Sequence, residues 1–451
     1  MSIQKIFDMA KQSLQHNQSA INTSAKNIAN MNSDVYKRRQ VKISESTLGF
    51  STTNGGIKHA DTVRVQNSFI ESQLRFEKQD LGRRESDQII FQQVEDIFGE
   101  PSDFGLSNVL SSFWNSWSAI ANDPESQAAR TEVRSQGQTL VRSFQKLDTD
   151  LGDLQRTLRS QFQQKIDDLN RLLTQMGELN RRIIKQPSHD LLDQRDALLN
   201  EMAPIMEMDV RENANGTVTI ASNGSLLISQ SIVNTFSAEA TWNSQSSEYT
   251  LGLKLGNSQR TVVPKSGALA SILDHHNESI KTIRNQLDEL AVNIAVRVNG
   301  LHQSGYNLDN VTGVNFFADG ITGAKNFTLS PDVLNDASLI ATASDSDKPG
   351  EGAIASAISD LQFAQIIHGD SANQFYNQMV SGVGKQVQEA DFLKTSQEKL
   401  VLNLKNQRDA ISGVSLDEEM TRLIEFEQAY QAAAKVISTV SDITQTIINM
   451  V

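Results

Sequence analysis

Four groups of residues have types and spacings that bear on chemistry. His275-His276, with His302 further along, are the neighbouring histidines in a chain that has seven. Imidazole ligates metals, but adjacent positions on a helix point about 100° apart, so one helix does not readily aim both at one ion. Satisfied or surface positions are expected for them. Asp193, Asp196 and Glu201 flank Arg195. Paired carboxylates do acid–base work, but the interposed arginine makes a structural ion-pair cluster the better reading. Asp345-Ser346-Asp347-Lys348-Pro349-Gly350 begins like a calcium loop, yet Pro349 does not suit the fifth ligand position and Ser356 stands where a bidentate glutamate belongs. Gly320-Ile321-Thr322-Gly323-Ala324-Lys325 has the wrong length for a phosphate loop and lacks Ser or Thr after the lysine. There is no G-x-S-x-G, H-E-x-x-H or Walker string, and no cysteine, which excludes disulfides, zinc–thiolate sites and thiol nucleophiles. No catalytic, cofactor-binding or metal-binding residue is assigned, and the chain reads as non-enzymatic.

The elements around these groups are those of a large helical protein. Its 451 residues suffice for about three domains and a buried core. Lys plus Arg total 41 against 54 for Asp plus Glu, a formal charge of -13. That balance argues against nucleic acid and against an anionic membrane surface as partners. No apolar run is long enough to span a bilayer. The N-terminus, MSIQKIFDMAKQSLQHNQS, lacks the apolar stretch and small-residue cleavage site of a Sec signal, so export would use a route that leaves the start intact.

The two ends share a pattern. Ile3, Phe7, Ala10, Leu14, Asn17, Ile21, Ser24, Ile28 and Met31 recur at alternating four- and three-residue steps, as in a heptad seam. Leu423, Phe426, Tyr430, Ala433, Ile437, Val440, Thr444, Ile447 and Val451 repeat the alternation at the far end. Ser415 with Glu418 three residues on has capping-box spacing, and Gly413 supplies the break before it. About six large apolar side chains in the first seam give roughly 1.5–3 kcal/mol each on burial. Ordering about 30 residues costs roughly 1–2 kcal/mol per residue in backbone entropy. Isolated ends are thus expected to be marginal and to gain structure from neighbours.

Between the ends, helical periodicity covers 66–98, a short aromatic stretch with Trp114 and Trp117, 125–185, 190–203, 267–304, 353–366 and 371–411. The two tryptophans read as helix–helix core, and Gly137, Gly152 and Gly177 as points where the long helix can kink. From 208 to 264 the pattern turns to Val, Ile, Thr and Ser with period two, and Asn215-Gly216 and Asn223-Gly224 are hairpin dipeptides. The expected fold is mainly α: a terminal coiled coil (1–50 with 412–451), a discontinuous helical rod-like body (51–205 with 265–411) and a small inserted β domain (206–264). The placement of 307–345 stays open.

Ser13 through Asn22, Asn27-Ile28-Ala29-Asn30, Tyr36 and Arg39-Gln40 resemble the N-terminal signature of flagellar rod, hook and hook-associated proteins. Gly413, Leu416, Glu418 and Glu419 within 412–420, then Tyr430 through Ile437, resemble the matching C-terminal signature. Interior strings around Leu110–Ala121, Pro124, Arg130, Asp190–Asp196, Asn299, His302, Gly305 and Tyr306 look most like the family of hook-associated protein 1, the first hook–filament junction protein. Where that family carries Pro-Gly before the tyrosine, this chain has Asp34-Val35. The resemblance implies a structural subunit joining hook to filament, located outside the cell. It implies export through the flagellar type III apparatus with a chaperone on the C-terminal segment. The implied partners are hook protein, the second junction protein and further copies around a tube, with no cofactor. The terminal seams would carry assembly: Ile3, Phe7, Leu14, Ile21, Ile28 and Met31 from one end, Leu423, Phe426, Tyr430, Ile437, Val440 and Ile447 from the other. The alternatives are another axial protein, either the hook itself or the second junction protein, and a secreted adhesin-like coiled coil.

Overall fold

The chain opens with α1 (Ile3–Ala29) and an antiparallel hairpin of β1 (Arg39–Glu45) and β2 (Ile57–Arg64). The computed structural model describes residues 3–33, 35–45, 57–102, 105–243, 248–256 and 260–450. Four helices follow the hairpin: α2 (Ser68–Phe98), α3 (Leu106–Asn122), α4 (Gln127–Lys185) and α5 (His189–Met202). Then come two small antiparallel sheets. One joins β3 (Asp209–Glu212), β4 (Val218–Ser222), β5 (Ser225–Ser229) and β6 (Ile232–Val233); the other joins β7 (Phe236–Asn243), β8 (Glu248–Leu255) and β9 (Arg260–Val262). Helix resumes as α6 (Ala268–Asp274), a π-helical turn at His275–Ser279 and α7 (Ile280–His302). Short helices α8 (Pro331–Asn335) and α9 (Ala353–Asp360) precede α10 (Ala372–Ser412) and α11 (Leu416–Met450). The fold is mainly α with small antiparallel sheets.

The spine is α4, 59 residues long. Leu140, Phe144, Leu147, Leu151, Leu154 and Leu158 are buried along it at alternating three- and four-residue steps, so one stripe faces the core throughout. Its glycines do not break it. Gly137 admits the Phe316 ring, and a Cβ on Gly177 would lie 2.4 Å from Val233, so both serve close packing. Against this spine α3 sets Phe113, Trp114 and Trp117, all fully buried. The turn between β4 and β5 has Asn223 (φ 45°) and Gly224 (φ 72°) both left-handed, as a tight hairpin requires.

The segment after α7 packs on the helical body. Phe316, Phe317 and Phe327 are buried, with rings meeting Phe113, Trp117 and Phe144 at centroid distances of 5.0–6.0 Å. Arg130, itself fully buried, donates to the carbonyls of Pro124 (3.0 Å from Nε), Ser338 (3.3 Å) and Ile340. An arginine without a carboxylate in hydrogen-bond reach among the described residues thus closes the loop carbonyls. Burial lowers its pKa to about 10, still well above neutrality, so it stays charged.

Two antiparallel helix pairs complete the fold, the first of them sharing the core of the body. α2 packs on α10, with Gln88 donating to Asp391 (2.7 Å) and Gln397 to Glu77 (2.7 Å). α1 packs on α11, the end of the first meeting the start of the second.

Candidate functional site

Where both ends of the chain meet the body, the signature residues converge on Asn27. It is fully buried on the last turns of α1. Its Nδ2 donates to the Arg39 carbonyl (2.9 Å) and to Glu419 Oε2 (3.0 Å). Its Oδ1 accepts from Tyr36 Oη (2.8 Å) and from the Arg39 amide (3.0 Å). One amide side chain therefore ties together α1, the start of β1 and the first turn of α11. Burial, opposed by Arg39, pushes the Tyr36 phenol up to about 12, so it stays a donor. Glu419 is 1% exposed.

The hairpin is then riveted to α5. Arg39 donates to Asp190 (2.6 Å) and Asp193 (2.8 Å), and Arg64 bridges Asp193 (2.9 Å) and Asp196. Arg195 continues the ladder to Asp196 and Glu212 at 2.8 Å each. The Arg39 hydrogen bond holds Asp190 below the usual carboxylate range. Burial alone would raise Asp196, but Arg195 and Arg64 together hold it down. At Asp193 burial wins and pushes the carboxyl up against the pull of Arg64 and Arg39. Lys37 pairs with Glu71 of α2, both nearly buried. Such pairs contribute little net stability, but removing one member leaves a charge uncompensated, so they fix orientation. The expected ion-pair character of Asp193 and Asp196 is what the structure has; Glu201 is exposed at the end of α5.

Other signature residues shape the second crossing. Arg38 donates its amide to the Ser412 carbonyl (3.1 Å) and its guanidinium to Glu418 (3.0 Å). Gly413 is extended (φ −69°), and a Cβ there would lie 2.3 Å from the Asp409 carbonyl oxygen. Its need for glycine is space rather than a left-handed turn. The Ser415 cap is long, 3.5 Å from its hydroxyl to the Glu418 amide. Asn30 donates to the Lys26 carbonyl (2.8 Å) and closes the end of α1. Leu416 is exposed. Asp34 lies outside the described residues, while Val35 and Tyr36 lie within them.

The terminal seams sit differently on the two helices. On α11, Ala433 and Val440 are buried, Leu423, Phe426, Tyr430 and Ile437 half-buried, and Ile447 is exposed. On α1 the buried face is Ala10, Asn17, Ala20, Thr23, Ser24 and Asn27. The large apolar residues stand roughly a quarter turn around the helix from it. Ile3, Phe7 and Met31 are exposed, and Leu14, Ile21 and Ile28 half-buried. Small residues let the α1 backbone approach α11 closely, which moves the bulky ones to the flank.

The remaining chemical candidates resolve into structure. His275 and His276 are both buried and diverge. His275 meets Asp87 (2.9 Å) and Ser279 (3.1 Å), while His276 faces Asn277 (3.0 Å). Burial would raise Asp87, but His275 and Ser271 hold it below its ordinary value. The amide of Ala324, in the glycine loop, donates to Asp288 (2.7 Å), so a carboxylate of the same chain takes that donor. Asp345 pairs with Lys348 (2.8 Å) at the surface. Among the described residues, no three His, Asp or Glu side chains converge as a metal site. Nor is any described helix long and apolar enough to cross a membrane.

Comparison with known proteins gives this arrangement its setting. The family described as "Flagellar hook-associated protein FlgK helical domain" matches residues 91–317, from α2 through the segment after α7. The chain belongs to this FlgK family. A second family, "Flagellar basal body rod FlgEFG protein C-terminal", matches 406–450 and includes Gly413 and Glu419. The flagellar hook-associated protein 1 of Bacillus subtilis is 24% identical, with 98% of this chain and 97% of that protein covered. That of Escherichia coli K12 is also 24% identical, with 99% of each covered. The solved flagellar hook junction protein FlgK from Burkholderia pseudomallei superposes with a TM-score of 0.69 at 14% identity, over 75% of this chain and 100% of that one. Within the FlgK family, then, this chain is a flagellar hook-associated protein. Of its clasp, Arg64, Lys37 and Glu71 were not singled out by the sequence; each is an ordinary charged residue whose partner is distant in the chain.

Proposed function

We propose that this chain is the structural subunit that joins hook to filament, assembling through its paired terminal helices. The observation that carries the reading is the unsatisfied apolar surface on those pairs. Phe7, Ile424 and Ile448 on the terminal pair are 40%, 50% and 62% exposed, and Phe69, Phe76 and Phe392 on the α2–α10 pair 59–70%. A monomer gains nothing from that surface, whereas copies packed around a tube bury it. The clasp at Asn27 fixes the angle at which the terminal pair leaves the body, which an assembling subunit needs.

In this reading the chain leaves the cell through the flagellar type III apparatus, guarded by a chaperone on its C-terminal segment, and acts outside the cell. Hook protein lies below it, the second junction protein above, and further copies beside it. The terminal coiled coil (1–50 with 412–451) lines the tube, the body (51–205 with 265–411) forms the middle shell, and the β insert (206–264) faces outward. Ile3, Phe7, Leu14, Ile21, Ile28 and Met31 meet neighbouring copies, as do the outward parts of Leu423, Phe426, Tyr430, Ile437 and Ile447, while Val440 is buried within the chain. The role is mechanical, without catalysis.

Deletion of the gene tests this. Intact hooks that bear no filament, with flagellin released to the medium, are expected. Loss of hooks, or normal filaments on normal hooks, would overturn the junction role.

A further inference from the structure

Between α4, the π-helical turn and the β7–β8 hairpin lies an open cleft of about 340 Å³. Trp242 and Tyr249 stand directly opposite each other on β7 and β8, their rings edge to face at 4.9 Å. They are 51% and 44% exposed. The chain's other two tryptophans, Trp114 and Trp117, are wholly buried, so an indole left in water here is a departure that asks for an occupant. The Arg159 guanidinium lies 5.0 Å from the Tyr249 ring centre and pins the aromatic pair to α4.

The cleft is also basic. Among the described residues Arg156, Arg159, Arg284 and Lys325 line it, with Asp148 as the one lining carboxylate, in a chain whose formal charge is -13. Asp148 is already taken by Arg284 (2.7 Å), which Gln155 also holds (3.0 Å). Arg156 pairs with Asp153 at the surface, both more than half exposed, an arrangement easily exchanged for a better partner. Thr149 adds a hydroxyl at the rim, and Gly152 leaves the floor open, with nothing within 4 Å of a Cβ built there.

We propose that this cleft binds an acidic carbohydrate, a pyranose bearing a carboxylate. Exposed aromatic rings accept the C–H face of a sugar, and guanidinium groups bind a carboxylate in bidentate fashion. An apolar ligand would have to desolvate four cations. A neutral sugar would use the rings but draw nothing from the guanidinium and ammonium groups beside them. The volume is at the lower end of ligand pockets, about 300–1,000 Å³, and suits one or two rings.

The test uses the purified full-length chain, digalacturonic acid as probe and its dimethyl ester as the neutral counterpart. Trp242 is the only exposed indole among the three, so tryptophan fluorescence reads this cleft, and calorimetry gives affinity independently. Saturable quenching by the acid is expected, with the ester about tenfold weaker. Arg156→Gln and Lys325→Gln should erase the preference for the acid, and Trp242→Ala should abolish binding, all with an unchanged unfolding temperature. Absence of saturable binding, equal affinity for acid and ester, or undiminished calorimetric binding by Trp242→Ala would each overturn the proposal. So would loss of self-association in Trp242→Ala with no digalacturonate binding by the parent chain, which would assign the indole to a contact between copies.

Discussion

Acidification should loosen the body at one histidine. His302 is fully buried at the end of α7, its Nε2 accepting the Ala341 amide at 2.9 Å. Because that amide is a donor, Nε2 carries the lone pair and Nδ1 carries the proton, which it donates to the Val314 carbonyl at 2.7 Å. Burial pushes the imidazole pKa down from 6.5 to about 4, and protonation would set a second N–H against that of Ala341. The unfolded chain therefore takes up this proton first. Between pH 6.5 and 4 it binds more protons than the folded chain, so stability falls as pH falls. The contribution is complete above 6.5 and lost near 4. Roughly 2.5 pH units at about 1.4 kcal/mol each makes about 3.5 kcal/mol in full, of which about 3 kcal/mol has gone at pH 4.

The assay is urea unfolding of the full chain from pH 7.5 to 4, followed by the fluorescence of Trp114 and Trp117 in a Trp242→Phe background. Trp117 meets the His302 ring edge to face at 6.1 Å, so the signal is local. The comparison variant is His302→Gln, whose amide oxygen still accepts from Ala341 but does not titrate. At pH 7 it should be about 1–2 kcal/mol less stable through the lost Val314 bond. Toward pH 4 the parent should lose about 3 kcal/mol more than the variant. Carboxylates elsewhere titrate alike in both chains and cancel. Parallel curves for the two would refute the argument, because they would mean His302 takes up its proton at no extra cost.

Three further perturbations probe other joints. Asn27→Ala removes four hydrogen bonds, among them the one that Glu419 Oε2 accepts; about 3 kcal/mol of local stability should go. Amide exchange in the β1–β2 hairpin should then quicken by about two decades while α4 is unchanged. Arg130→Met keeps the volume but strips the Pro124, Ser338 and Ile340 carbonyls of their donor. It should cost about 3 kcal/mol and expose 305–345 to limited proteolysis before the rest of the body. Gly82→Ala puts a Cβ 2.2 Å from the Pro204 carbonyl oxygen, backbone against backbone. A cost of about 2 kcal/mol should appear as a melting point lowered by about 2 °C in calorimetry.

What the sequence made legible follows from how local each signal is. The helical tracts and the strands of the β insert come from periodicity and turn dipeptides, and α2, α3, α4, α5 and β4 fall within two residues of the expected bounds. The β1–β2 hairpin was not expected. Its residues carry no compact apolar alternation, and Arg39 and Arg64 acquire meaning only from Asp190, Asp193 and Asp196 far along the chain. The placement of 307–345 was left open for the same reason. That segment has little regular structure, and its order comes from Arg130, His302 and Asn299, whose amide donates to the Phe317 carbonyl (2.9 Å) and accepts the Phe316 and Phe317 amides. Asn27 and Tyr36 were singled out in one terminal signature and Glu419 in the other; only the fold joins them in one hydrogen-bonded node.

The rotation of α1 carries the reasoning furthest. The heptad count puts Ala10, Asn17 and Ser24 in the seam with Ile21 and Ile28; the first three are buried, but Ala20 and Asn27, one position before the two isoleucines, complete the buried face, and Asn27 bonds Glu419 of α11. Close helix approach favours small side chains, and a node such as Asn27 needs burial on both sides to keep water from its four bonds. The two demands set the contact face, and the bulky residues fall to the flank as a consequence. A helix that bound only its own chain would have no use for Ile3 and Phe7 there, at 38% and 40% exposure. Exchanging the two faces, with Ala20→Ile and Ile21→Ala together, preserves composition and helix propensity to first order. It should nonetheless separate α1 from α11 in the monomer and abolish assembly at once. If that double variant assembled as the parent does, the small-residue face would have no role in setting the apolar flank.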